Sequence, residues 1–296
     1  MVLVCWNNRA YLEPCLESLY GAGMRHGFET VVVDNGSTDG SQDMVRDRFP
    51  DVSIVQNDGN VGLARASNQG IEATRAPFVL LLNNDTLVDG SALDALVDLM
   101  EARPDAGAVG GTLLNEDGSI QAEYNNFSTL GEEFLIATRL GEFLWPGYPS
   151  HRQSHEARSV DWLSSACLLL RRSALDDVGL LDESYFIYGD EADLQFRLIA
   201  RGWKVYYLPD AKTIHFGGCS MDRWRRRKMV YRGKMLFYRK NYGAMREALL
   251  RAMFGTLTIA KVGVWSVAWP LPSLRERAAR ELRSNADVLR LCLRLG

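Results

Sequence analysis

Four polar clusters, each set just past an apolar run, hold residue types that can handle a charged leaving group. They are VVVDNGSTDGS (31–41), NVGLARASNQGI (60–71), FVLLLNNDT (78–86) and YFIYGDEADLQFR (185–197), with His215 further on. Departure of a nucleotide's diphosphate calls for a hard divalent cation. Such cations take oxygen ligands such as carboxylates, and the phosphates complete the shell. Asp85 is the carboxylate that stands out for this task.

The elements that must position these residues follow from the apolar runs. A run of four to six apolar residues that stops at Asp, Asn and Gly reads as a buried parallel strand opening into a polar loop. Ligands of open α/β sheets bind outside those carboxyl ends. Asp34, Asn35, Asn84 and Asp85 then converge on one crevice, although about fifty residues separate the two pairs.

Strands are expected at 2–6, 31–33, 52–55, 78–82, from Val109 and at 204–208, with a further apolar run at 162–170. Helical spacing marks 10–20, 41–49, 63–74 and 191–201, a short helix from Ser173, and a helix capped by Ser91 and closed at Arg103-Pro104. This β-α-β-α-β rhythm implies a parallel sheet with right-handed crossovers. Asn115–Gly118 reads as a hairpin turn, and 122–160, without clear period, as a functional loop that orders over a substrate.

A chain of 296 residues with 47% hydrophobic content suits a soluble α/β domain plus an appendage. Its five cysteines include no CxxC pair and are odd in number, which favours reduced thiols in a cytoplasmic protein over a disulfide framework. The chain starts directly in MVLVCW, a strand, without a signal-peptide pattern. The net charge of −3 conceals an asymmetry: residues 220–296 hold 18 Lys+Arg against 5 Asp+Glu, or +13, and the remainder carries −16.

A basic quarter on an acidic body points to an anionic partner. Within it, the apolar, Trp-bearing stretch at 252–272 favours a membrane surface over nucleic acid. The stretch is long enough to span, but Lys261 at its centre costs about 2.5 to 3.5 kcal/mol on insertion. An interfacial helix is therefore preferred to a span, with packing on the catalytic domain as the alternative. His151 and His155, four residues apart in a Gly/Pro-flanked loop, read as surface residues.

Taken in order, VVVDNGSTDGS, NVGLARASNQGI, LLLNNDT, GDEADLQFR and the later His resemble the inverting family 2 glycosyltransferases of the GT-A fold, particularly rhamnosyltransferase-like bacterial members. The match covers roughly residues 2 to 243. The resemblance implies an α/β GT-A catalytic domain, a mostly parallel sheet flanked by helices, over 1–219. A basic, amphipathic helical region over 220–296 follows it. It further implies a divalent metal, Mg²⁺ or Mn²⁺, and a nucleotide diphosphate sugar donor, dTDP-rhamnose first. The acceptor would be a glycan or a lipid-linked molecule, met by a cytoplasmic enzyme held on the inner face of the plasma membrane.

Residue by residue, the resemblance puts Asp85 and His215 on the metal or diphosphate, and Asn84 at the ribose or the metal shell. Glu191 falls on the catalytic base, with Asp190 just before it as helix cap or as the base itself. Trp6 matches an aromatic position that stacks on the nucleotide base, against core packing as the plainer reading. Asp34 or Asn35 accepts a pyrimidine N3–H, and Asn60 and Gly62 match a second nucleotide-side motif. Trp162 and Ser165 fall on the acceptor side, and Asp193 serves there or structurally. Residues 223–243 resemble the family's closing helix.

Among other classes, a nucleotidyltransferase wants a Gly-rich, basic phosphate loop after the first strand, where this chain has Cys5-Trp6-Asn7-Asn8. A dinucleotide-binding oxidoreductase wants G-x-G-x-x-G at the same place. A non-catalytic sugar-nucleotide or glycan-binding module has no need of Asp85, Glu191 and His215 together.

Overall fold

The computed structural model describes residues 1–122, 124–145, 156–217 and 223–293. His151, His155 and Cys219 lie outside the described residues. Strands β1 (Val2–Cys5), β2 (Val31–Asp34), β3 (Ser53–Gln56) and β4 (Phe78–Leu82) are parallel neighbours in the order β3-β2-β1-β4. Helices α1 (Arg9–Tyr20), α2 (Ser41–Arg48) and α3 (Leu63–Glu72) return the chain between them, as parallel pairing requires. The polar ends of β1, β2 and β4 therefore open on the same edge.

Beyond β4 the sheet becomes mixed. The chain adds β5 (Thr86–Leu87), α4 (Gly90–Ala102), β6 (Ala106–Leu114), β7 (Ile120–Ala122), α5 (Leu130–Thr138), α6 (Leu140–Leu144), β8 (Arg158–Val160) and β9 (Cys167–Arg171). Then come α7 (Arg172–Val178), α8 (Asp190–Ala200) and β10 (Lys204–His215). The full order is β3-β2-β1-β4-β9-β6-β10-β5, with β9 antiparallel to both β4 and β6. Leu3, Leu12, Leu16, Leu96 and Met100 fill one face of the sheet, and Val2, Ile71, Val79, Leu170, Leu194 and Leu198 fill the other. Each such aliphatic side chain stabilises the fold by about 1.5 to 3 kcal/mol.

Several sequence expectations shift here. Helix α4 is capped by Asp89, whose carboxylate accepts from the amides of Ser91 and Ala92; Ser91 is inside the helix. The apolar run at 162–170 becomes a strand only from Cys167, because Trp162 makes an isolated bridge to Asn125 instead. The last strand continues past Leu208 to His215, held by β6 along its length and by β5 at its end. The stretch 122–160 holds two helices and a strand, and a capping box of Thr129 and Glu132 starts α5.

The chain divides into two compact units. The first comprises Met1–Phe127, Gln153–Phe186 and Asp190–Ser220. The second comprises Ser128–Arg152, Ile187–Gly189 and Met221–Gly296, so α5 and α6 belong with the carboxyl-terminal helices. Those are α9 (Arg223–Phe237), α10 (Ala244–Ala268) and α11 (Arg275–Leu293). Buried Glu133 of α5 pairs with Lys234 of α9 at 2.6 Å, and Tyr238 donates to the Ser128 carbonyl at 2.7 Å. Arg227 pairs with Glu281 of α11 at 2.8 Å. Lys261, at the middle of the apolar stretch, donates to the Ala137 carbonyl at 3.0 Å. That carbonyl ends α5, where the helix dipole favours a cation.

Candidate active site

The end of β4 is fixed from several sides. Asn83 donates its backbone N–H to the Ala166 carbonyl at 2.9 Å. Asn84 donates to the Val4 carbonyl at 2.7 Å and accepts from Asn8 at 2.6 Å, so both ends of its amide tie β4 to β1. It is buried and serves as a brace at the end of β4. The chain then turns into β5, which pairs antiparallel with the end of β10, and Thr86 stands opposite His215. That pairing brings Asp85 and His215 together across 130 residues of sequence: the carboxylate Oδ1 lies 3.3 Å from the imidazole Nε2.

The histidine's other nitrogen decides what Nε2 can do. Nδ1 lies 2.6 Å from Gln121 Oε1, while the Gln121 amide nitrogen donates to the His215 carbonyl at 2.8 Å and to Asn115 at 3.0 Å. With its nitrogen spent on two carbonyl acceptors, Gln121 presents oxygen to Nδ1, so Nδ1 carries the proton. Nε2 is left with a lone pair directed toward Asp85 and the Asn83 amide, 3.2 Å away. A ligating histidine is commonly held this way, by a partner on its second nitrogen. Carboxylate oxygen and neutral imidazole suit a divalent cation. Among the described residues no third His, Cys, Asp or Glu joins them, so most of a shell would fall to water and substrate oxygens.

At the end of β2, Asp34 is buried, and its Oδ1 accepts from the amides of Gly36 and Ser37 and from Gln42. Its Oδ2 has no partner, an unusual condition for a buried carboxylate oxygen. Asn35, in contrast, is consumed internally: it accepts from Asn57 at 2.9 Å and donates to the Gly62 carbonyl at 3.4 Å. Of the two residues considered for a pyrimidine N3–H, Asp34 has an acceptor oxygen without a partner among the described residues. Trp6 stands 41% exposed at the end of β1, which rules out core packing for its ring. The loop that carries it is clamped, with Asn7 accepting from the Thr38 amide at 2.7 Å and Asp39 accepting from the Arg9 amide at 2.8 Å.

Asn60 accepts from the Gly62 amide at 3.0 Å, a local turn. Gly62 has φ +94°, and a Cβ there would meet the Phe186 carbonyl oxygen at 2.9 Å. Gly62 thus approaches the protein's own chain closely, and Leu63 donates to that same carbonyl at 2.7 Å. Asn68 bonds both backbone groups of Leu181, so α3 holds the segment that leads into α8.

Helix α8 begins at Asp190, beside Glu191. Asp190 is buried, lines a small cleft with Asn83, Ser165 and Ser67, and its Oδ1 has no partner. As the first helical residue with a free oxygen it is not the cap expected from the sequence. Burial first, then the neighbouring Glu191 carboxylate and a hydrogen bond to it, push the Asp190 pKa well above the usual carboxylate range. Glu191 is half-buried. Asp193 is not on an acceptor surface: it is buried against Arg197 at 2.9 Å, with the Tyr185 hydroxyl at 3.4 Å. Gln195 bonds both backbone groups of Leu163 at 2.8 Å, which fixes the Trp162–Ser165 segment to α8. Trp162 itself donates to the Asn126 carbonyl at 3.1 Å.

Gln121, Asn83, Asn8 and Gln195 were not visible as site residues in the sequence, because each acts through a partner remote in the chain. Removal of Gln121's amide has a definite expected outcome. Gln121→Ala should weaken nucleotide-dependent Mn²⁺ binding by about 10- to 100-fold. Calorimetric titration of Mn²⁺ in the presence of nucleoside diphosphate checks this, and unchanged affinity would show that His215 does not need its tautomer fixed.

A parallel nucleotide-side sheet half, strand-end carboxylates and an acidic residue pair at the start of a later helix make this a GT-A fold. A mannosyltransferase from Pyrobaculum calidifontis, solved in complex with GDP-Man and Mn²⁺, superposes with a TM-score of 0.60 at 15% identity, covering 99% of this chain and 87% of that one. S. aureus TarS in complex with UDP gives a TM-score of 0.54 at 14% identity, covering 98% and 88%. The model of Glycosyl transferase family 2 matches residues 1–179, and the chain belongs to that family. It is a glycosyltransferase. An N-acetylglucosaminyl-diphospho-decaprenol L-rhamnosyltransferase of Mycobacterium tuberculosis is 33% identical over 240 residues, covering 75% of this chain and 77% of that one. An O-antigen biosynthesis protein of Myxococcus xanthus is 30% identical over 214 residues, covering 71% of this chain and 16% of that one.

Proposed function

We propose that this glycosyltransferase moves a sugar, with inversion, from a nucleotide diphosphate sugar to a hydroxyl of a glycan or lipid-linked acceptor in cell-envelope polysaccharide synthesis. The observation that carries the reading is the 3.3 Å approach of Asp85 Oδ1 to Nε2 of His215. Asp85 and His215 hold a divalent cation, Mg²⁺ or Mn²⁺, and the chemistry it supplies is neutralisation of charge on the departing diphosphate. Trp6 stacks on the nucleotide base, and Asp34 Oδ2 accepts its N3–H. Asn35, Asn60, Gly62 and Asn84 hold the walls of that site.

Glu191 takes the proton of the acceptor hydroxyl as its oxygen bonds the anomeric carbon and the bond to diphosphate breaks. Asp190, whose burial beside Glu191 favours its protonated form, hydrogen-bonds the Glu191 carboxylate and so fixes its direction. One base and one in-line attack suffice without a covalent sugar intermediate, and such a displacement inverts the anomeric centre. Ser165 and Trp162 line the acceptor side. The mycobacterial relative, an L-rhamnosyltransferase acting on N-acetylglucosaminyl-diphospho-decaprenol by name, supports rhamnose as the transferred sugar and a polyprenyl diphosphate sugar as acceptor; dTDP-rhamnose is the first donor to test. The basic carboxyl-terminal region fits a cytoplasmic enzyme peripheral on the inner face of the plasma membrane.

A thermal-shift screen of UDP-, dTDP- and GDP-sugars with Mn²⁺ or Mg²⁺ tests this reading. The matching donor at one hundred times its dissociation constant should stabilise the protein by about 2.7 kcal/mol, and only with the metal present. Equal stabilisation in excess chelator would contradict the metal's part in donor binding.

A further inference from the structure

Within the second unit, the carboxyl half of α10 leaves one face uncovered. Thr256, Ile259, Ala260, Gly263, Val264 and Val267 are all exposed, and their spacing of three and four puts them on a single stripe. None carries a charge. The charge that composition places at the centre of this stretch, Lys261, is turned away onto the Ala137 carbonyl at the end of α5. That contact lays this half of α10 beside the junction of α5 and α6. Phe143 of α6 is 83% exposed, and Trp145, just past the end of that helix, is 50% exposed.

Soluble monomers rarely leave a contiguous apolar patch of this kind open. What covers it is indicated by its border. Arg277 stacks on Trp265 at 5.4 Å and Arg275 on Trp269 at 5.7 Å, just where α10 gives way to α11. Tryptophan capped by guanidinium at the edge of an uncharged stripe matches the boundary of an anionic bilayer, with apolar groups inward and cations at phosphate level. By length and composition α10 could cross a membrane; packing of its first half through Leu250, Phe254 and Thr258 and the hold of Lys261 on α5 favour a helix lying in the interface instead.

The geometry points to α6 and the carboxyl half of α10 as one face that docks in the plane of an anionic lipid bilayer, with the segment from Leu140 to Trp145 supplying half of it. This deepens the membrane partner of the proposed function and is independent of the sugar chemistry.

Co-flotation with phosphatidylglycerol/phosphatidylcholine vesicles, against pure phosphatidylcholine, reads the docking directly. Two paired variants divide the face: Val264→Glu with Val267→Glu, and Phe143→Ser with Trp145→Ser. Each pair should lower the partition coefficient on the anionic vesicles by about tenfold or more. Binding of the parent should weaken with salt without disappearing. A donor-induced thermal shift, measured on the same samples, shows that the variants are folded and reports separately on the sugar-nucleotide reading. Parent-like partition in either pair overturns a single shared face. A parent that ignores anionic vesicles, or a face shown by light scattering to join two copies while vesicle binding stays unchanged, overturns the bilayer as its occupant.

Discussion

Glu191→Gln is expected to lower turnover by about 10²- to 10⁴-fold, or 3 to 5 kcal/mol, with donor binding nearly unchanged. Glutamine keeps the shape and removes the basicity, so the loss is confined to the step that takes a proton. Donor binding is spared because the nucleotide side of the crevice is braced independently, by Asn84 to β1 and by Asn35 to Asn57. Steady-state rates and calorimetric donor affinity on one preparation separate the two effects. Asp190→Asn serves as the counterpart. Burial and the neighbouring Glu191 carboxylate favour the protonated form of its carboxyl, which the amide mimics, so much of the activity should be preserved; a large loss there with little at Glu191 would exchange their roles.

Asp85→Ala should remove the divalent-dependent part of donor binding and lower turnover at least about 10³-fold, since a cation on a developing phosphate charge contributes several kcal/mol. The fold should survive. The backbone carbonyl of Asp85 still accepts from the Phe216 amide at 3.0 Å, and the sheet register at Thr86 and His215 is set by main chain. Turnover and donor thermal shift, with Mn²⁺ and with excess EDTA, check the expectation. Full activity of the variant in EDTA would remove Asp85 from the mechanism.

Much of the site was readable because strand ends carry a mark: an apolar run broken by Asp or Asn. Asp34, Asp85 and the Asp190-Glu191 pair each follow that mark or open a periodic helix, and Asp85 lies beside His215 in the structure. What the sequence could not tell was which end of an amide is already occupied. Asn35 and Asn84 look identical to ligand-binding residues until Asn57, Asn8 and the Val4 carbonyl are seen to use them. Asp193 likewise looks like a third site acid until Arg197, one helical turn away, claims it.

Gln121 carried no local signal, since its importance comes from a hairpin that folds β7 back toward the end of β10. The antiparallel insertion of β9 was equally hidden, because a continuous apolar run has no direction. The helices at 130–144 were more accessible than they looked. Thr129 followed three residues later by Glu132 is a helix-start signature, overlooked among the aromatic and glycine residues around it.

The most direct measurement of the account is nuclear magnetic resonance of the transfer product. The purified protein would be given dTDP-rhamnose, Mg²⁺ and a polyprenyl diphosphate N-acetylglucosamine, and the anomeric carbon of the newly attached sugar followed. The account predicts a product with anomeric configuration opposite to that of the donor, formed only with divalent metal and lost in Glu191→Gln. A product that retains the donor's configuration would contradict a single displacement assisted by Glu191.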